Sequence, residues 1–292
     1  MSENLGALRR QMDSAGELHS VVRTMKAIAA SNIGQYERSV EALTHYYHTV
    51  ELGLSACFRA EPEPSQSVEA TRVSSDVGAI VFGSDQGLVG QFNEVIAEFA
   101  VEALKPFRDK VCVWAVGDRV QAYLADAGYS VLGVFPVPNS IRAITPLVAQ
   151  IQIEVEARRP NGEFESFHVF RNRPTTGALY EPAGQRLLPL DEQWRSELAA
   201  IRWPTVNLPE VIGGPSTLRA LVREYLFISL FRACAESLAS ENASRLASMQ
   251  RAEKNIDQLR ETLNADYHRL RQSGIDEELF DVISGFEAGS RV

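Results

Sequence analysis

The residues best placed for chemistry are Gly83-Ser-Asp-Gln-Gly-Leu-Val-Gly90. They follow a short apolar run, Val77 to Phe82, and precede a helical pattern from Glu94 to Phe107. Gly83, Gly87 and Gly90 therefore stand at a strand-to-helix junction, where backbone N–H groups can cradle a phosphate. The spacing is not G-x-G-x-x-G, however, and no acidic residue closes a second strand about twenty residues on; G-x-x-x-x-G-K-[ST] is absent. The competing reading is a turn whose glycines supply positive φ while Ser84 or Asp85 satisfies its backbone, and it is the stronger of the two. His45 and His48 lie one helical turn apart and could share a metal, but no third ligand stands near them. Neither G-x-S-x-G nor H-E-x-x-H occurs. No catalytic, cofactor-binding or metal-binding residue is expected.

The elements that would position any site are dominated by the two ends of the chain. From Ser216 to about Gly285 no proline occurs, enough for roughly 100 Å of helix. Leu221, Glu224, Ile228, Phe231, Ala235, Leu238, Asn242, Arg245, Met249, Ala252, Ile256, Leu259, Leu263, Asp266 and Leu270 are spaced alternately by three and four, which is a coiled-coil seam. The polar members Glu224, Asn242, Arg245 and Asp266 need hydrogen-bond partners if the seam is buried. A matching series runs through Leu8, Met12, Ala15, His19, Val22, Lys26, Ala29, Ile33, Tyr36, Val40, Leu43, Tyr47, Val50 and Leu54, with His19 and Lys26 as polar register-setters. All 13 prolines fall between Pro62 and Pro215. The expected fold is α/β: a long antiparallel coiled coil of the N- and C-terminal helices plus a Rossmann-like α/β middle domain. The divisions are 1–60, 61–215 and 216–292, and the C-terminal tip from about Leu270 is expected to project alone.

In the middle, strands are expected at Val77–Phe82, Val111–Val116, Ser130–Phe135, Phe164–Phe170 and Arg186–Leu190. Helices are expected at Glu94–Phe107, Asp118–Ala127 and from a cap at Asn139 to Ala157, with Thr145-Pro146 interrupting the last. This alternation argues for a mainly parallel sheet. Of the net charge of −9, the middle carries most, with 13 basic and 20 acidic side chains between residues 60 and 217. Nucleic acid is an unfavourable partner for such a surface. No apolar run of about eighteen residues occurs, so no membrane insertion is expected, and the start lacks a secretory pattern. Cys57, Cys112 and Cys234 form no disulfide framework or zinc pattern, which favours a reducing compartment. The acidic run Asp276, Glu277, Glu278, Asp281 reads either as a solvated helix end or as a surface for a basic partner.

Three motifs then carry a resemblance. Leu8-Arg-Arg-Gln-Met12 with Thr24-Met-Lys-Ala-Ile-Ala-Ala-Ser31 resembles the N-terminal helix of the γ subunit of F-type ATP synthases. Ser84-Asp-Gln-Gly-Leu-Val-Gly-Gln-Phe-Asn93 is similar to that family's S-D-x-G-L-C-G-x-x-N turn. Glu236 to Met249, followed by Arg271-Gln-Ser-Gly-Ile-Asp-Glu-Glu278, resembles its C-terminal helix. Between Val95 and Pro215 the match is in outline only.

The resemblance implies a non-catalytic rotor. In that family the paired helices form the central shaft inside a ring of α and β subunits. The middle domain stands beside ε on a membrane-embedded c-ring, and rotation couples ion flow to ATP synthesis or hydrolysis at the β subunits. It implies a peripheral membrane complex on the cytoplasmic face of the bacterial inner membrane. Family contacts with the β catch loop carry over to Arg245, Gln272 and Glu278, and to Asp276, which replaces the usual threonine. Asn32 replaces a common lysine, and Trp203-Pro-Thr-Val-Asn-Leu-Pro-Glu210 replaces an aromatic and acidic Y-E-P stretch. These departures suggest a divergent branch, such as the alternative bacterial F-type ATPases. The competing functions are a coiled-coil scaffold and a nucleotide-binding α/β enzyme that dimerises through its helices.

Overall fold

The computed structural model describes residues 2–60, 76–158, 164–176, 179–190, 192–204, 207 and 210–289. The chain packs as two compact units, Met1–Ala29 with Arg245–Val292 and Ala30–Ser244. Two helices contribute to both: α1, Ser2–Ala60, and α6, Pro215–Gly289. Helix α6 starts where Gly213 and Gly214, at φ 94° and 48°, turn the chain, and Pro215 occupies a first position that has no use for an N–H.

In the smaller unit the two helices run antiparallel. Arg9 lies 5.8 Å from the Tyr267 ring, His19 Nε2 is 3.4 Å from Asp257, and Lys26 pairs with Glu253. The Lys26 ammonium, first through its hydrogen bond, holds the Glu253 carboxyl below its usual range. The larger unit repeats the antiparallel order. Asn32 Nδ2 donates to Asn242 Oδ1 at 3.4 Å, Tyr46 Oη donates to Glu224 at 2.7 Å, and the Tyr47 and Tyr225 rings are 6.2 Å apart. Every position of the Leu8 to Leu54 series is buried or half-buried, as its spacing requires. In the C-terminal series Leu259 is the exception, 49% exposed. The register set by the His19 and Arg9 pairs brings it level with Gly16 and Glu17, and a glycine covers nothing. From Leu270 onward the tip carries exposed Ile275, Leu279, Phe280, Val282 and Ile283.

The larger unit also holds a five-stranded sheet of order β3-β2-β1-β4-β5, comprising β1 Val77–Phe82, β2 Val111–Val116, β3 Val131–Phe135, β4 Ser166–Arg173 and β5 Glu181–Leu188. The first four are parallel and β5 is antiparallel to β4. On one face Ile80, Phe82, Trp114, Val116, Phe167 and Val169 pack with α1, α6 and α4, Ile141–Arg158. On the other, Val77, Ala79, Val81, Val113 and Ala115 pack with α2, Phe92–Leu104, and α3, Asp118–Asp126. Because both faces are covered, β1 is buried at every position and reads as a continuous apolar run rather than an alternation.

Three sequence expectations are corrected. Pro146 does not interrupt α4, which runs through it, because a proline in the second turn forfeits a single backbone bond and leaves the buried row Ile144, Leu147, Val148, Ile151 intact. The last strand begins at Glu181, with Pro182 tolerated because β5 is an edge strand. Helix α5, Glu192–Ala200, was not expected; it buries only Leu198 and so has almost no periodic signal. The Trp203 to Glu210 stretch lies partly outside the described residues.

One pH dependence follows from the β4–β5 pairing. His168 pairs with Arg186 across the strands, and burial first, then that guanidinium, pushes its pKa below the ordinary 6.5. A depressed histidine resists protonation in the fold, so this part of the stability is complete above about pH 6.5 and is lost as pH falls through the lowered value. Thermal melts of the chain from pH 7.5 to 5 should fall in Tm, and His168→Phe should flatten that slope.

Candidate functional site

The glycine turn is consumed by its own structure. Gly83 N–H donates to Val116 O at 2.8 Å, and Ser84 N–H donates to Asn93 Oδ1 at 2.9 Å. Asn93 Nδ2 returns a bond to Ser84 Oγ at 2.8 Å, and Ser84 Oγ donates to Gln86 O at 2.9 Å. Asp85 does what a bound phosphate would do. Its Oδ1 accepts the Asp118 N–H at the start of α3 at 3.1 Å, and its Oδ2 accepts the Val137 N–H at 2.9 Å. A carboxylate at a helix N-terminus satisfies orphan donors and the helix dipole together, so these two donors are occupied by the chain itself.

The glycines differ in what they supply, Gly83 a close approach and Gly90 a positive φ. Of the three, only Gly90 takes positive φ, at 57°, while Leu88 adopts 63° in the same turn. A Cβ on Gly83 would sit 2.4 Å from Val120 Cβ and 2.8 Å from Asn93 Oδ1, which explains that glycine sterically. A separate cleft of about 1020 Å³ in the smaller unit opens beside Gly16, but Asp13, Glu17, Asp257 and Glu261 line it against one arginine, Arg260. Such walls repel phosphate. Calorimetry with ATP, ADP or NAD should therefore give no heat above dilution; micromolar binding would restore the enzyme reading. His45 and His48 are exposed, and His48 Nδ1 lies 3.8 Å from Glu51. No group of metal-ligating side chains occurs among the described residues.

The four contact candidates all lie on α6 in the smaller unit, but they are not one cluster. Arg245 is half-buried, whereas Gln272, Asp276 and Glu278 are exposed. Twenty-seven helical residues separate Arg245 from Gln272, roughly 40 Å at 1.5 Å each. Gln272 and Asp276 share a face, being four apart. Any partner engaging all four must touch the helix at two levels.

A polar stripe that the seam reading passed over lies in the larger unit. Glu236, Ser240 and Ser244 are four apart on α6 and buried. Arg171 Nε donates to Glu236 Oε2 at 2.6 Å, and Arg232 Nε donates to Glu236 Oε1 at 2.7 Å. Ser240 Oγ donates to Asn172 O at 3.2 Å, Ser244 Oγ donates to Val89 O, and Asn172 Nδ2 donates to Phe92 O at 2.9 Å. The i, i+4, i+8 spacing was available in the sequence. The polar breaks at Asn242 and Asp266 are also answered: Asn242 Nδ2 donates to Leu238 O at 2.8 Å while its oxygen accepts Asn32, and Asp266 accepts Arg269 at 2.8 Å.

A paired-helix element with a parallel sheet beside it and a self-filled turn matches a known family. The family model described as ATP synthase matches residues 4–288. The chain belongs to the ATP synthase γ-chain family. The ATP synthase γ chain of Salinibacter ruber is 28% identical over 307 residues, covering 98% of each chain. That of Legionella pneumophila is 23% identical over 286 residues, covering 96% of this chain and 98% of the relative. Among solved structures, a chain of the Euglena gracilis mitochondrial ATP synthase, from a structure of its OSCP, F1 and c-ring, superposes with a TM-score of 0.65 at 15% identity, covering 100% of this chain and 97% of that one. A chain from the Tetrahymena thermophila central stalk and c-ring gives 0.56 at 20%, covering 80% and 99%. At these identities the structures establish the fold, and family membership rests on the family model and the γ-chain relatives.

Proposed function

We propose that the chain turns as the non-catalytic shaft of its complex, coupling ion flow through a membrane c-ring to ATP synthesis or hydrolysis at β subunits. The observation that carries this is the antiparallel pairing of α1 and α6, read together with a glycine turn in which Gly83 and Ser84 spend their N–H groups on Val116 and Asn93 while Asp85 occupies the N–H at the start of α3. A chain that moves nucleotide chemistry elsewhere needs a long directional element and no phosphate site of its own. Its partners are then the α and β subunits of the ring, the ε subunit and the c-ring. Its place is peripheral, at the cytoplasmic face of the membrane. No helix among the described residues is long and apolar enough to cross a bilayer. Tagged chain should recover the ring, ε and the c-ring from gently solubilised membranes; recovery of the chain by itself favours the scaffold reading.

Arg245, Gln272, Asp276 and Glu278 are the proposed β contacts. The carboxylate of Asp276 is exposed, so its interactions with a β surface are screened by salt over a Debye length of about 10 Å at 0.1 M. Asp276→Thr should therefore change the turnover of the assembled complex mainly at low ionic strength and leave it unchanged at high. An effect independent of salt contradicts a charge contact there.

A further inference from the structure

Beside the apolar packing of Phe167 and Val169, β4 is tied to α6 by an ion pair where further apolar contact would suffice. Arg171 and Glu236 are each 7% exposed, and Arg232, whose side chain is 54% exposed, closes the other side of the carboxylate. Around them α6 presents small side chains, Ala233, Ala235 and Ala239, all buried. Small residues let helix and sheet approach closely, but dispersion contacts have no preferred direction and resist sliding weakly. Hydrogen bonds to charged groups are directional and short. Replacing a buried ion pair by well-packed apolar residues is often neutral or stabilising, so stability by itself gives no reason for Glu236.

We propose that Arg171, Glu236 and Arg232 form a torque key. With the Ser240 and Ser244 bonds above them, they fix the azimuth of α6 against β4, so that the sheet and this part of the helix turn together under load. This rests on the shaft reading above. Load is the condition that matters, because an unloaded rotor transmits no torque through the sheet. Glu236 is thus a positioning residue for coupling, remote from any nucleotide.

The test uses the complete complex in sealed vesicles, assembled with wild-type or variant chain, and reads ions pumped per ATP hydrolysed. Unloaded ATP turnover of the detached ring is measured beside it. Failure of the wild-type chain to restore pumping counts against the shaft reading, and the key falls with it. The decisive variant is Arg171→Met with Glu236→Leu, which removes the charges together and leaves Arg232 to solvent. The expected result is an unchanged or raised Tm, unloaded turnover within about twofold of wild type, and pumping against a gradient lowered about tenfold. Glu236→Gln, which keeps the shape and weakens the bonds, should give a smaller loss in the same direction. Wild-type coupling in either variant, or a loss of coupling that merely tracks a fall in Tm or assembly, overturns the key.

Discussion

Arg245→Ala is expected to slow ATP turnover by the assembled complex about ten- to a hundredfold. That range corresponds to the ~1.5–3 kcal/mol of a hydrogen bond to a charged partner. Arg245 is half-buried on α6, at the Asn-Ala-Ser-Arg step that resembles the family's catch-loop contact. On the proposed β contact, its loss would leave a β carboxylate short of a donor only at the rotary position where the two meet, so a barrier between dwells would rise with folding nearly untouched. The isolated chain should keep its Tm within about 4 °C, the shift that roughly 1 kcal/mol produces in a chain of this size. Equal turnover for wild type and variant at all salt concentrations would mark the position as a helix face without a charged partner.

The second large effect is structural. Gly117 sits at φ 108°, ψ 134°, a conformation open essentially to glycine, and a Cβ there would lie 2.7 Å from the Ser84 carbonyl carbon and oxygen. Gly117→Val therefore meets backbone strain of about 1–3 kcal/mol and overpacking of a further ~1–3 kcal/mol. The strained contact is the one that brings Ser84 beside α3, where Arg119 N–H donates to Ser84 O at 3.0 Å and Asp85 caps Asp118. Together these approach the whole stability of many domains. The variant should melt far below wild type and fail to assemble, and a circular dichroism melt checks it. A Tm within a few degrees of wild type would contradict the packing described around Gly117.

The elements that could be read from the sequence are those whose signal repeats. The alternating spacing of Leu8 to Leu54 and of Leu221 to Leu270 survives local noise because each step is checked by the next, and His19 and Lys26 find Asp257 and Glu253 as register-setters should. Apolar runs such as Val77–Phe82 and Val111–Val116 were legible because both faces of the sheet are covered. Helix α5 was not, since one buried residue leaves no period to detect. The start of β5 was hidden by Pro182, which argues against a central strand and is harmless at an edge.

At the candidate site, the absence of a phosphate spacing could be read directly, but the reason could not. Asp85 reaches Val137, 52 positions away, and no local pattern encodes that bond. The Glu236 stripe was obscured for a related cause. Reading α6 as a two-faced seam assigns it one partner helix, whereas between Ile228 and Ser244 it is enclosed by the sheet as well and is buried at nearly every position. Arg245 stood out in the seam as a polar member, but a β-contact role for it and for Gln272, Asp276 and Glu278 is a proposal that rests on the resemblance, because a contact made in a complex would leave no period in the isolated chain.

The most direct test of the central claim is single-molecule rotation. The catalytic ring is fixed to a surface, a probe is attached through an exposed cysteine introduced on α2 of this chain, and ATP is supplied. The probe is expected to turn in one direction, in discrete steps whose dwell times lengthen as ATP is lowered. A ring that hydrolyses ATP with this chain bound while the probe stays fixed would contradict it.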